Sequence, residues 1–374
     1  MRIQIAYPKL PPAIDGIGDH TRFLAEALAD RHHVEILTAD AQTIDALPVK
    51  TTACFSMSTR AGVKQLLNEV RKAPPEWLLL QYNPFAWGRW GLNLQLPSVI
   101  STIKKTCPGI KVALIVHECF VPSISWKFAI MTTWQRLQLW RLGQVADAIF
   151  VSIEKWTRLL AGWYPDKLVV HLPVGSNIPV VGADRRAVRD ELGIAEHSVA
   201  LGVFGSAHPD RMFDVVPKIV DAVASQGIDV SLICAGGGTD SLKKLLPGKK
   251  IAGGTALDPR EVSRLVSAMD VTLPLFIDGV STRRGSFMAG LDHGVATVTT
   301  IGRNSDAMLK RAAGASFLAS DPLDHGGLAK AALELAWNRE LREKVAESGR
   351  ALYRQHFDWS RLVDILTVNL DRKR

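Results

Sequence analysis

The sequence predicts an α/β protein built as two Rossmann-like domains facing one central cleft. Short β-rich runs alternate with longer helical ones along the whole chain, the pattern of parallel sheets covered by helices. The length of 374 residues suits two domains at roughly 150 residues each. The texture breaks once, near residues 173–186, between two such series.

In the first series Ile3–Tyr7 reads as a strand, followed by a Pro- and Gly-rich loop from Pro8 to Gly18. Thr21–Arg31 then carries Phe23, Leu24, Ala27 and Leu28 at helical spacing. Val34–Thr38, Leu78–Gln81, Val112–His117 and Ala148–Ser152 continue as strands, each ending at a polar or turn-forming residue. Ligands of open α/β sheets sit outside the carboxyl ends of strands, which makes Gln81, His117 and Ser152 candidates by position. Pro173–Pro179 and Gly182–Arg186 read as a linker. Beyond it Ala200–Phe204, Val230–Ala235, Lys250–Gly253, Val271–Leu275, Ala296–Thr300 and Ala315–Ala319 read as strands. Arg339–Leu370 is helical with one break at Phe357-Asp358-Trp359, and neither repeats nor low-complexity segments occur.

Composition excludes several classes. No apolar run reaches the ~18–20 residues a membrane span needs, and the start is too soon polar for a signal peptide. Four cysteines without CxxC spacing support neither a zinc ribbon nor a disulfide scaffold, so a cytoplasmic location is expected. The net charge of +8 comes without any run of five like charges, and no nucleic-acid partner is expected. That charge is uneven: residues 1–183 hold 19 basic and 13 acidic side chains, residues 184–374 hold 26 and 24. Eight of the ten tryptophans lie before residue 164.

Five segments carry candidate chemistry. Asp15-Gly16-Ile17-Gly18-Asp19-His20 runs into a helix; its glycines allow close approach of a ligand, or merely shape a turn. His117 is either a hydrogen-bonded sheet-edge histidine or a charge-stabilising group. After the strand at Ala200–Phe204, Gly205-Ser206 leads to Arg211, placed to reach a phosphate, and Gly236-Gly237-Gly238 exposes backbone at the next strand tip. The most informative segment is Pro274–Ala289, with Asp278, Ser281, Thr282, Arg283, Arg284, Gly285 and Ser286 between a strand end and a helix start. Arginine forks and helix-start amides in a Gly/Ser/Thr loop suit a diphosphate.

The order of these motifs resembles the GT-B-fold glycosyltransferases, specifically the family 4 (group 1) enzymes that use nucleotide sugars. The resemblance runs over nearly the whole chain: the early Gly loop, His117, Pro173-Val174-Gly175, the Gly205–Arg211 loop, Ala289–Val298 and the tail Phe357-Asp358-Trp359. It implies an acceptor-side domain at 1–180, a nucleotide-sugar domain at 181–355, and a last helix at 356–374 returning to the first domain. By this resemblance Gly16 and Gly18 would flank the donor phosphate and acceptor, and His117 would contact the donor sugar. Arg211 would stand for a diphosphate-binding lysine, and Ser206 replaces its usual arginine partner. The family's two glutamates are Ser281 and Ala289 here, so Asp278 is the candidate replacement carboxylate, and Arg283 or Arg284 the phosphate arginine. Asp19 or His20 would serve as base if the reaction inverts.

The implied reaction moves a sugar from a nucleoside diphosphate to an acceptor hydroxyl on a polysaccharide, a lipid-linked glycan or a small molecule. The resemblance implies retention of configuration, no metal and no cofactor beyond the donor itself. A nucleotide-sugar epimerase on the same fold, or a non-catalytic sugar-nucleotide-binding protein, are the alternatives. The Trp-rich region 126–163 reads first as amphipathic helices packing with a solvated basic face. The sharper reading is peripheral contact with the inner face of a membrane, Trp at the interface and Lys/Arg toward headgroups.

Overall fold

The computed structural model describes residues 1–39, 47–57, 62–123 and 125–373. The chain forms two compact units, Met1–Pro173 with Trp359–Arg374, and Val174–Asp358. Unit 1 carries 23 basic and 15 acidic residues and unit 2 carries 22 of each, so the whole formal charge of +8 resides in unit 1.

Unit 1 is a seven-stranded parallel sheet: β1 (Arg2–Ala6), β2 (His33–Thr38), β3 (Thr51–Ala53), β4 (Trp77–Tyr82), β5 (Lys111–Val116), β6 (Ala148–Val151) and β7 (Leu168–His171), in the order β3-β2-β1-β4-β5-β6-β7. β4 is buried throughout and β5 from Val112 onward because both faces are covered, as parallel sheets require. Leu78, Leu80 and Leu114 pack into one apolar cluster, Ile5, Leu79 and Phe150 into the other, following the two-residue period. The second cluster includes Leu362, Leu366 and Leu370 of the C-terminal helix Trp359–Asp371, which is why that helix belongs to unit 1.

Unit 2 is a six-stranded parallel sheet of β8 (Val199–Phe204), β9 (Val230–Ala235), β10 (Ile251–Gly254), β11 (Val271–Thr272), β12 (Ala296–Thr300) and β13 (Leu318–Ser320), ordered β10-β9-β8-β11-β12-β13. β11 is shorter than its sequence suggests. Pro274 has no N–H to give the ladder, and pairing ends with the Leu273 amide on Gly202.

Two further expectations change. The glycine loop at 16–18 is the first turn of a helix, Gly16–Ala29, because Asp15 caps it. Residues 174–178 are packed rather than a free linker: Val174, Ser176 and Ile178 are buried in unit 2, the Val174 amide donates to Thr282 O (2.9 Å), and the Ser176 amide to Tyr353 Oη (3.0 Å).

Candidate functional site

Each unit gathers polar residues at the carboxyl edge of its sheet. In unit 1, β4, β5 and β6 are neighbours, so Gln81, His117 and Ser152 stand side by side. His117 Nε2 donates to Gln81 Oε1 at 2.6 Å, and Gln81 Nε2 reaches His20 Nδ1 at 3.5 Å. Ser152 Oγ donates to His117 O (3.3 Å). His20 lies edge-on to His117, ring centroids 4.7 Å apart, and to Trp359 at 5.0 Å. Burial pulls His20 down to about 3, so it stays neutral and accepts from the amide. The two histidines that the sequence places 97 positions apart are thus joined through one glutamine.

At the start of the Gly16–Ala29 helix, Asp15 Oδ1 accepts from the Ile17 and Gly18 amides (3.0 and 2.9 Å) and from Tyr7 Oη (2.9 Å). The first-turn donors expected for a phosphate are therefore already engaged by a carboxylate. Asp19 follows half-buried in that turn. The two glycines differ in kind. A Cβ on Gly18 would stand 2.7 Å from Lys9 O, whereas one on Gly16 would meet nothing within 4 Å. Gly18→Ala is expected to cost about 1–3 kcal/mol in urea unfolding, while Gly16→Ala stays within roughly 0.5 kcal/mol of the parent. Equal losses would overturn this distinction between the two glycines.

Unit 1 also holds a cavity of about 500 Å³ lined by Lys9, Ala39, Ser56, Met57, Phe85 and Arg89, residues that follow β1, β2, β3 and β4. A smaller cavity of about 230 Å³ lies in unit 2 at the amino ends of β9 and β10, among Leu192, Val230 and Lys250.

In unit 2 the helix Gly285–Asp292 begins at Arg284 with no side-chain cap. Arg211 Nη1 donates to Ser286 Oγ (2.8 Å) in its first turn and Nη2 to Phe204 O (3.0 Å). Arg284 pairs with Asp210 at 2.5 Å. Both guanidiniums lie against the Phe276 ring, 4.9 Å (Arg211) and 4.3 Å (Arg284) from its centroid. Burial first, then the neighbouring Arg284, pulls Arg211 down to about 10, still charged at neutral pH. Burial works to raise the Asp210 carboxyl, but Arg284 and His208 outweigh it and hold it below its usual value. Two guanidiniums and the first turn of an uncapped helix, whose amides favour an anion, thus converge on one point.

The surrounding loops come close enough to frame that point. Gly205 and Gly236 both take positive φ (120° and 106°), and a Cβ on Gly236 would sit 2.8 Å from Gly205 O. Ser206 and Gly237 are exposed beside them. Gly285 has room for a Cβ only at 3.1 Å from Asn177 Oδ1.

The other sequence candidates are placed differently. Asp278 pairs with Arg303 and accepts from Asn304 Nδ2 (3.2 Å), so its carboxylate is engaged by the 303–304 loop. Thr282 donates both its amide (2.7 Å) and its hydroxyl (2.9 Å) to the buried Asp306, and Ser281 is buried beside it. Ala289 is fully buried in an apolar cluster with Ala200 and Ile233. Arg283 is half-buried next to Arg284. Sequence reasoning missed Asp210, Phe276 and Asp306. The adjacency of Asp210 to Arg211 was a signal available for the first; the others become visible only through tertiary contact.

The Trp-rich region divides. Trp163 stacks on Phe120, ring centroids 6.1 Å apart, and Trp156 is partly buried, as packing helices predict. Trp126 and Trp140 of the helix Trp126–Val145 are 70% and 46% exposed. No helix among the described residues is long and apolar enough to cross a membrane.

No family model and no curated protein sequence matches the chain. Solved structures do. Sucrose-phosphate synthase from Thermosynechococcus elongatus aligns at a TM-score of 0.74 with 14% identity, covering 99% of this chain and 98% of that one. HepE of Anabaena, solved in complex with UDP, aligns at 0.73 with 14% identity over 100% of both chains. WaaG, a glycosyltransferase involved in lipopolysaccharide biosynthesis, aligns at 0.64 with 15% identity over 97% and 98%. Identities this low speak for architecture, and coverage this complete speaks for both units at once: the chain has the GT-B fold of these glycosyltransferases.

Proposed function

We propose that this protein transfers a sugar from a nucleoside diphosphate sugar to an acceptor hydroxyl. The observation that carries the reading is the pair Arg211 and Arg284 at the uncapped start of the helix Gly285–Asp292, Arg211 bonded into its first turn and Arg284 paired with Asp210. Sugar transfer builds negative charge on the departing diphosphate while the sugar becomes cationic. Fixed guanidiniums and helix amides aimed at that charge lower the barrier without reorganising. They supply the positive charge locally, so the reading calls for neither a metal nor a cofactor, and it takes configuration as retained. HepE, solved with UDP-glucose, supports a nucleotide-sugar donor by likeness of fold.

Within the reading His117 meets the donor sugar, its ring held by Gln81 and its backbone carbonyl by Ser152. The unit 1 cavity takes the acceptor, with Lys9 and Arg89 favouring a negatively charged one. Asp278 holds the 303–304 loop, and Asp306 holds Thr282 so that Arg284 enters the helix at the right place.

A second reading has one observation in its favour. With Asp278 engaged by Arg303, and Ser281 and Ala289 lacking carboxylates, the 274–289 loop offers no free acid, which suits a sugar-nucleotide-binding protein without turnover. Measuring nucleoside diphosphate release from UDP-, GDP- and dTDP-sugars separates the two. Release from one donor, accelerated by an acceptor, is expected. Saturable binding with no release from any donor would establish the second reading instead.

A further inference from the structure

Unit 2 leaves an opening at the amino edge of its sheet, the edge opposite the one that carries the Gly205–Arg211 loop. β9 begins two residues before its outer neighbour: Ile251 of β10 pairs with Leu232, so Val230 and Ser231 have no strand beside them on that side. The cavity of about 230 Å³ lies in this gap. Its walls come from both apolar layers of the unit, Val220, Ile228 and Leu232 from one and Leu192 and Ile194 from the other. An apolar cavity of about 150 Å³ holds benzene, so this one has room for a larger ring or a branched aliphatic group.

The charged groups of the lining are two lysines and one aspartate. Gly248, at φ 80°, turns the chain so that Lys249 and Lys250, just ahead of β10, both line the cavity. Edge strands are commonly blunted by lysines on the strand itself. These two precede the ladder and border the cavity instead. Lys250 Nζ donates to Leu192 O (3.0 Å) at the end of the helix Arg185–Leu192, which uses one of its three N–H groups. Gly193, at φ 65°, makes room for it, since a Cβ there would stand 2.8 Å from Lys250 Nζ. Lys249 is exposed, and its ammonium has no partner among the described residues. Asp229 faces His197 Nε2 at 3.6 Å, and Ser231 Oγ faces Ser198 Oγ at 2.8 Å.

We propose that this cavity binds a small organic anion, an aromatic or branched aliphatic body carrying one carboxylate. Small-molecule sites are mostly apolar with a few placed polar groups, and here the apolar slot takes the body while the lysines at its border take the charge. A diphosphate fits poorly, because the apolar walls would strip its water and return no hydrogen bonds. The proposal rests on this cavity alone and not on the transfer reaction, so either can fail without the other.

The test is calorimetric titration of the full chain with cyclohexanecarboxylate, with its neutral counterpart cyclohexylmethanol, and with acetate. The carboxylate is expected to bind saturably and about tenfold tighter than the alcohol, which cannot accept charge-assisted bonds as a carboxylate does. Acetate, which lacks the apolar body, should show no saturable binding. Lys249→Gln with Lys250→Gln should bring the carboxylate down to the level of the alcohol. Ala224→Trp, at an exposed position of the lining, should fill the cavity and abolish binding of both. Urea unfolding without ligand shows that each variant is folded, and a nucleoside diphosphate should not displace the carboxylate. No saturable binding of the carboxylate, equal affinity for carboxylate and alcohol in the parent, or unchanged binding by folded Ala224→Trp protein overturns the proposal. Displacement by the nucleoside diphosphate also overturns it, by placing the carboxylate at Arg211 and Arg284.

Discussion

Calorimetric titration of a nucleoside diphosphate into Arg211→Ala protein is expected to show binding weakened about a hundredfold, or ~2.7 kcal/mol. Arg211 is held between Ser286 Oγ and Phe204 O, so its guanidinium is oriented before any ligand arrives. Charge-assisted bonds from a preoriented fork contribute roughly 1.5–3 kcal/mol each. Arg284→Ala is expected to weaken binding by about tenfold, less because its charge is already shared with Asp210. Arg283→Ala should have a smaller effect than Arg284→Ala, since it is Arg284 that lies on the Phe276 ring with Asp210 beside it. Urea unfolding of each variant separates lost binding from lost structure. Unchanged affinity in both Arg211→Ala and Arg284→Ala, in folded protein, removes the diphosphate site and with it the transferase reading.

The contrast between Arg283 and Arg284 also shows where sequence reading stops. That two arginines between a strand end and a helix start should gather an anion follows from their types and position. Which of the two lies against Phe276 and Asp210 goes with Asp306 gripping Thr282 from 24 residues away, a contact no local pattern encodes. The same division runs through the fold. Val230–Ala235 and Ala296–Thr300 are read to the residue, because a buried parallel strand is a short apolar run between turn signals. Thr51–Ala53 and Leu168–His171 carry no strand signal in the sequence. They are edge strands of three and four residues, less buried than the centre and without clear alternation. Gln81, His117 and Ser152 were legible one by one as strand-end residues. Their assembly depends on β5 lying between β4 and β6, a sheet order that the strand sequence alone leaves open.

His20 gives the second large effect, on stability against pH. Its folded value is about 3 because burial disfavours the cation, against an ordinary 6.5. A group held below its unfolded value contributes its stability in full above 6.5 and loses it as pH falls toward the folded value. At pH 4 the loss from this one residue is on the order of 3 kcal/mol relative to pH 7.5, a large part of an ordinary domain's stability. Asp292 acts in the opposite sense. Burial first, then Asp358, pushes its carboxyl up to about 6, so its contribution is greatest below 3.8 and is lost as pH rises through 6. The raw stability curve therefore mixes two trends, and the informative quantity is the difference between parent and His20→Asn, which keeps an acceptor for Gln81 and cannot take up a proton. The parent is expected to lose stability faster than His20→Asn between pH 6.5 and 4, by up to one proton's slope, ~1.4 kcal/mol per pH unit. Parallel curves would mean that His20 is not held neutral. The outcome bears on chemistry as well as folding: a neutral His20 accepts from Gln81 Nε2, and that turns Gln81 Oε1 toward His117 and sets the tautomer His117 presents at the sheet edge.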